Sequence, residues 1–220
     1  MPERDRRPER IAKIDPTQAA DRLRPDAERY AALAVTLGAT AAQVIPASLV
    51  TVDDRVALKC AVPKCFGYGT SANCPPHAPT PETIRAVLAR YETAVVIRLD
   101  VPPAVIVRDR ATIQARVDAY KLVFSLVSDV ESAAFYDGHY LAAGFAAGSC
   151  KSTYCHDVEC AVLGGQKCRH NLMARPSMEA VGIDCFALAA TLGWDMYPIG
   201  SSAKADQVQA GALMGVVFVA

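Results

Sequence analysis

The sequence has no surplus of charge of either sign: 23 basic and 23 acidic side chains give a formal net charge of zero. A nucleic-acid binder ordinarily carries a basic excess, so that class of partner is not expected. The basic residues are not interleaved with aromatics in a stripe that would stack bases either. No apolar run approaches the ~20 residues that cross a bilayer, so no membrane partner is expected. Residues 1–10 contain no apolar segment of signal-peptide type, which makes the cytoplasm the expected compartment. There is no P-loop, GxGxxG fingerprint, nucleophile elbow or HExxH, and Gly144 with Gly148 does not make a dinucleotide pattern. Repeats, low-complexity tracts and a clear linker are also missing. What remains is 220 residues, 52% apolar, enough to bury a sizeable core as one domain.

Cysteine, by contrast, is plentiful and clustered. Cys150, Cys155, Cys160 and Cys168 are spaced C-x4-C-x4-C-x7-C, and Cys60, Cys65 and Cys74 form an upstream group that runs into Pro75-Pro76-His77. In a reducing compartment such clusters are more often metal ligands or redox groups than disulfides. An unligated, buried or catalytic set of thiols is the further alternative. Cys185 stands apart, on the inner face of an expected helix, and reads as a small core residue rather than an eighth ligand.

Along the chain, residues 1–25 are charge-rich and read as a solvated, disordered arm, or as a docking arm for a partner. Residues 26–220 read as one cysteine-rich metal-binding α/β domain. Asp26 can cap a first helix carrying Tyr30, Leu33, Ala34 and Leu37, with Gly38 past its end. Residues 42–45 and 48–52 are short apolar runs, and with 55–59 they read as a strand pair whose last strand delivers Cys60, by the alternation of Val56 and Leu58. Between Cys60 and Thr80 nothing is periodic. Glycines and prolines make that stretch a wrapped loop, which a metal inside would order.

Thr80-Pro81-Glu82 starts a helix with Ile84, Val87, Leu88 and Tyr91 on one face. Residues 94–99 read as a buried strand. Asp109 can cap the longest helix, with Ile113, Val117, Tyr120, Phe124, Val127 and Ala134 as its stripe and Gly138 as its end. The small residues of 140–147 allow close approach of either a helix or a bulky cluster. Asp184 can cap a helix that turns Phe186, Leu188, Ala189 and Leu192 inward and stops at Gly193. Residues 212–219, apolar on both faces, read as an interior strand. Strands and helices alternate irregularly, which gives an α/β (α+β) single domain with a mixed β-sheet flanked by helices and two cysteine-rich loops.

Thiolates are soft anionic ligands suited to zinc, copper(I) or iron–sulfur centres. Structural zinc usually shows a tight C-x2-4-C knuckle twice, and the x4 and x7 gaps here are loose for that. They suit a four-iron cubane, whose corner irons lie farther apart than ligands on one ion. Lys151, Lys167, Arg169, His170 and Arg175 flank the downstream group. Cations beside an anionic cluster favour its reduced state, although ordinary surface charge is the plain alternative. Of these, Lys151, Arg169 and Arg175 are the candidates to face a cofactor. The upstream group counts three cysteines, which would leave one iron open, or bound by His77, water or a substrate. An open position is the mark of a catalytic metal. His156, between two downstream cysteines, is a second imidazole candidate. Asp157 and Glu159 read as solvated.

These residues also carry a family resemblance. Cys60, Lys64-Cys65, Gly67-Tyr68-Gly69 and Cys74-Pro-Pro-His-Ala-Pro-Thr-Pro-Glu82 resemble domain-of-unknown-function family 2284, a family of predicted metal-binding proteins. Gly148-Ser-Cys150, the Cys155/Cys160/Cys168 set and Arg175-Pro-Ser-Met-Glu-Ala-Val-Gly-Ile-Asp184 extend the similarity to the C-terminus. The resemblance implies a cysteine-ligated metal, iron–sulfur by type, and redox metabolism, but no particular reaction. That family commonly has an aliphatic residue at the position of Cys185, which leaves Cys185 outside the ligand set. Its tighter gaps near Cys150 leave open which of Cys150, Cys155 and Cys160 bind.

The expectation is therefore an iron–sulfur redox protein: a reductase component, electron carrier or small enzyme. It would hold two [4Fe-4S] clusters, one on Cys150, Cys155, Cys160 and Cys168, the other on Cys60, Cys65 and Cys74. A redox partner protein or a small-molecule substrate would complete it. A zinc-stabilised interaction module and a metallochaperone or assembly factor are the alternatives.

Overall fold

The computed structural model describes residue 8 and residues 11–107, 110–200 and 202–220. Four strands form the frame: β1 (Ala41–Pro46), β2 (Thr93–Val101), β3 (Ala143–Phe145) and β4 (Gly211–Phe218). Their order is β1-β2-β4-β3, and every pairing is antiparallel. The α+β domain is thus as expected, but the sheet is not mixed in direction.

The central pair β2 and β4 explains why those segments are apolar on both faces. In the register Ile97↔Gly215 and Val96↔Val216, successive side chains leave the sheet on opposite sides. Val95, Ile97, Leu213 and Val217 enter one buried cluster. Val96, Met214, Val216 and Phe218 enter a second on the other face. Each fully buried Val or Ile contributes roughly 1.5–3 kcal/mol relative to exposure.

The first face is covered by α1 (Pro16–Thr36) and by α5 (Ile113–Tyr136), which bury Tyr30, Ala34, Phe124, Val127 and Val130. The first helix starts at Pro16 and not at Asp26. The buried Leu23, Ala27, Tyr30 and Ala34 continue one helical stripe back into the segment expected to be a solvated arm. Asp21, Arg22, Arg24, Glu28 and Arg29 occupy the outer face, while Asp26 is buried. Asp26 is no cap. It accepts a bond from Arg29 at 2.8 Å and lies 3.0 Å from His139 Nε2. The rest of the expected arm, residues 1–7 and 9–10, lies outside the described residues, as does the expected cap Asp109. The described residue ahead of α5 is Thr112, and Gly138 ends that helix at φ +105°.

Two expected strands are not strands. Residues 48–52 form a 3-10 turn (Ala47–Leu49), and only Val52 then bridges, to Ile183. Residues 55–59 belong to α2 (Asp54–Ala61). Asp53 decides it by accepting the Arg55 N–H at 2.8 Å, which satisfies an orphan donor of the first turn. The Val56/Leu58 alternation carried no burial signal, since no residue of that helix is buried. Next come α3 (Pro81–Leu88), capped by Thr80 as expected, and the short α4 (Pro103–Ile106). After β3 follow α6 (Cys150–Tyr154) and α7 (Cys185–Thr191). Asp184 caps α7 through the N–H groups of Phe186 and Ala187, each at 3.0 Å. Ile84, Leu88, Leu188 and Ala189 of α3 and α7 cover the second face. Phe186, expected inward, is instead 49% exposed.

The small residues of 143–148 serve helix packing. A Cβ on Gly144 would strike Val127 and Glu131 of α5, and one on Gly148 would come within 2.6 Å of the Tyr120 ring. Between the two occupants left open by the sequence, the crossing element is α5.

Candidate metal centres

Cys60 stands on the last turn of α2, and the loop that follows is a chain of tight turns. The N–H of Cys65 donates to the Cys60 carbonyl (2.9 Å), Tyr68 to Cys65 (3.0 Å), Cys74 to Ser71 (3.2 Å), and both His77 and Ala78 to Cys74 (3.0 Å each). The loop satisfies its own backbone, so it needs no neighbouring strand. Gly69 takes φ +75° and donates to the Pro75 carbonyl at 2.7 Å, which folds the loop back on itself. Cys60, Cys65 and Cys74 then line one cavity with Ser149, Glu179 and Cys185.

Sulfur-directed bonds accompany this arrangement. Gly67 N–H donates to Cys65 Sγ at 3.5 Å. Burial pushes the Cys60 thiol up to about 11, and the neighbouring Cys65, Cys74 and Glu179 add to it. Three thiols this close oppose one another's ionisation. A bound cationic centre would remove that opposition, because coordinating thiols deprotonate.

The second group is assembled from α6 and the loop after it. Cys150 opens α6 and Cys155 ends it. Cys160 and Cys168 flank a run of turns in which Gly165 takes φ +76°. Cys150, Cys155, Cys160 and Cys168 line one small cavity together with Ser71, Tyr154 and His170. Three of their sulfurs also meet N–H donors. His170 N–H donates to Cys168 Sγ at 3.4 Å, and the Asn73 amide to Cys150 Sγ at 3.6 Å. Burial pushes the Cys160 thiol up, but the backbone N–H groups of Ala72, Leu163 and Val162, with Arg169 nearby, outweigh it and leave it lowered. Such donors stabilise a thiolate, the form that binds metal. At Cys150 burial dominates and the thiol is raised, despite bonds with Asn73 and Ser71.

The flanking cations divide. Lys151 lines the cavity and clamps its loop, donating to the carbonyls of Cys155 (2.9 Å) and His156 (3.2 Å). Arg169 also lines it and donates to the Glu159 carbonyl at 2.7 Å. Arg175, expected to face a cofactor, lines neither cavity. Its guanidinium makes a two-point pair with Glu131 of α5 at 2.7 and 3.1 Å, tying the end of the cysteine loop to the helix. A carboxylate in reach outcompetes solvent for that planar fork. Lys167 is exposed and lies outside the lining.

The imidazole candidates are likewise displaced. His77 is exposed and does not line the first cavity. His156 is exposed and pairs with Asp157 at 2.6 Å. The histidine that does line the second cavity is His170, stacked on Tyr154 with ring centroids 5.0 Å apart. Cys185 is buried in the core as expected, yet it also borders the first cavity. Its thiol is pushed well up by burial and then by Glu179. Glu179 lines the cavity and is exposed. The protein packed around it raises its carboxyl by desolvation, with its own N–H, Ser177 and Cys185 pulling it back. Sequence reading missed Glu179, Ser149 and Asn73, because their roles come from contacts across the fold and leave no local pattern.

All eight cysteines are free thiols, so the disulfide alternative is not realised. Among the described residues, no three His, Cys, Asp or Glu side chains are gathered tightly enough to hold a single metal ion. The cysteines of each group border a shared cavity instead, about 710 Å³ at the upstream group and about 20 Å³ at the downstream one, and thiolates are soft ligands suited to zinc, copper(I) or iron–sulfur centres. No described helix is long and apolar enough to cross a membrane.

Neither a curated protein nor a solved structure matches the chain. A family model described as "Predicted metal-binding protein (DUF2284)" matches residues 43–219, which includes both cysteine groups and all but the first strand's leading residues of the sheet. The chain belongs to the DUF2284 family of predicted metal-binding proteins.

Proposed function

We propose that the protein is an iron–sulfur redox protein in which Cys150, Cys155, Cys160 and Cys168 hold one [4Fe-4S] cluster and Cys60, Cys65 and Cys74 hold a second. When bound, such clusters accept and release single electrons. The observation that carries this reading is the sharing of one cavity by four cysteines, three of which, Cys150, Cys160 and Cys168, receive N–H donors at sulfur. Hydrogen bonds to cluster sulfurs are a principal means by which a protein sets the potential. Lys151 and Arg169 border the same cavity, where positive charge offsets the negative charge of a reduced cluster.

The upstream set differs in two respects. It supplies three cysteines rather than four, and its cavity is wide. With His77 turned away, an iron not bound by cysteine would face that cavity. We assign the downstream centre to electron entry and the upstream centre to the reacting end, with a redox partner protein supplying electrons.

Anaerobic purification tests the proposal. Brown protein containing iron and acid-labile sulfide is the expected result. Colourless protein with stoichiometric zinc would overturn it in favour of a zinc-stabilised module. Ready transfer of the metal to an acceptor protein would favour an assembly factor.

A further inference from the structure

The cavity over the upstream cysteines is larger than three thiols need. It encloses about 710 Å³, within the range of about 300–1,000 Å³ usual for small-molecule sites. Its walls are chemically divided. Ile106 at the end of α4, Ile113 and Val117 on α5, Ile199, and Leu213 with Met214 on β4 make an apolar side. Ser149, Ser177 and Glu179 make a polar side next to the thiols. Among the described lining residues, which also include Tyr68, Tyr120 and Tyr197, one side chain is cationic, Arg116.

Arg116 is half-buried on the first turn of α5. One guanidinium N–H donates to the Val107 carbonyl at 3.2 Å. Among the described residues no carboxylate pairs with it, in contrast to Arg175, Arg29 and Arg85. A guanidinium has five N–H donors in a planar fork matched to a carboxylate. Beside the apolar side of the cavity, a partner brought in by a ligand would use the remaining donors.

We infer that this cavity binds a small organic anion, an apolar body bearing one carboxylate, with the carboxylate on Arg116 and the body packed against Ile113, Val117 and Leu213. This names the substrate class for the proposed upstream centre. It rests on the proposed function for what the ligand is for, and on the cavity alone for whether it binds.

Benzoate is the probe, and benzamide is its uncharged counterpart. Both are titrated into anaerobically purified full-length protein and followed by saturation-transfer NMR. Benzoate is expected to bind, with benzamide weaker by about tenfold, the factor that corresponds to losing one charge-assisted pair. Arg116→Gln should weaken benzoate by a similar factor and leave benzamide unchanged. Ile113→Trp, at an exposed position on the rim, should block both ligands while the circular dichroism spectrum stays native; it also serves if Arg116→Gln fails to fold. Equal binding of benzoate and benzamide, indifference of benzoate to both variants, or no binding at about 10 mM, weaker than the millimolar range of simple fragments, would each overturn the inference. Iron analysis on the same samples separates the two readings. Arg116-dependent binding to iron-free protein removes the cluster reading and keeps the cavity. Iron-loaded protein without Arg116-dependent binding does the reverse.

Discussion

The Cys74 thiol and the Ser149 hydroxyl lie 3.5 Å apart although 75 residues separate them in sequence. Ser149 immediately precedes Cys150, so this contact joins the two cysteine groups. The loop before Cys74 continues the junction: Asn73 and Ser71 contact Cys150 Sγ at 3.6 and 3.9 Å, and Ala72 N–H reaches Cys160. One strap of four residues therefore serves both groups. Single electrons passing between the proposed centres would cross it.

Cys74→Ala tests that division. The variant should lose the upstream cluster and keep the downstream one, because Ser71, Ala72 and Asn73 remain in place. Iron and sulfide analysis with low-temperature EPR of the reduced protein reads this directly. Loss of all metal would mean a single shared centre.

Gly148→Ala should destabilise the fold strongly. Gly148 has φ +72°, and an added Cβ would meet the Tyr120 ring at 2.6 Å. The left-handed backbone costs roughly 1–2 kcal/mol for a non-glycine residue, and overpacking adds about 1–3 kcal/mol. A fall of about 2–5 kcal/mol in unfolding free energy is expected in urea titrations. Tyr120→Ala in the same chain should recover the steric part and leave the backbone part.

Arg175→Gln should lower stability without removing metal. Its pair with Glu131 is about four-fifths buried on both sides, and breaking a charge-assisted pair there costs about 1.5–3 kcal/mol. The measurement is a thermal melt beside an iron assay. A fall in iron with an unchanged melt would instead place Arg175 at the cofactor.

Asp26 should contribute to the acid limb of stability. Burial raises its carboxyl, but hydrogen bonds with Arg29 and His139 outweigh this and hold it below the ordinary 3.8. A carboxyl depressed in the folded state stabilises above its unfolded pKa, and that stability is lost as pH falls through the folded pKa. Asp26→Asn should therefore cost about 1.5–3 kcal/mol at neutral pH, with a difference from wild type that shrinks below pH about 4. Urea titrations at stepped pH check it.

Local signals located much of the framework. Thr80, Asp184, Gly138 and Gly193 mark helix ends through caps and left-handed turns, which depend on a few consecutive residues. The unbroken apolar runs around Val96 and Val216 identify interior strands, because a strand buried on both faces has no polar side to show. The alternation around Leu58 misled for the complementary reason. A period of two has meaning only if a partner strand exists, and here Asp53 caps a helix whose Leu58 is 56% exposed.

The sequence by itself determined that sulfur would be concentrated in two stretches, because cysteine spacing is a property of the chain. Only the tertiary structure decided which side chains surround those sulfurs. Arg175 is drawn to Glu131 on a helix 44 residues away, and His170, Asn73 and Ser149 take the places beside the thiols. The physical reason is that a side chain's partner is set by geometry and competition across the fold, where any carboxylate, carbonyl or ring in reach can capture it. Neighbours in the chain carry no record of that contest.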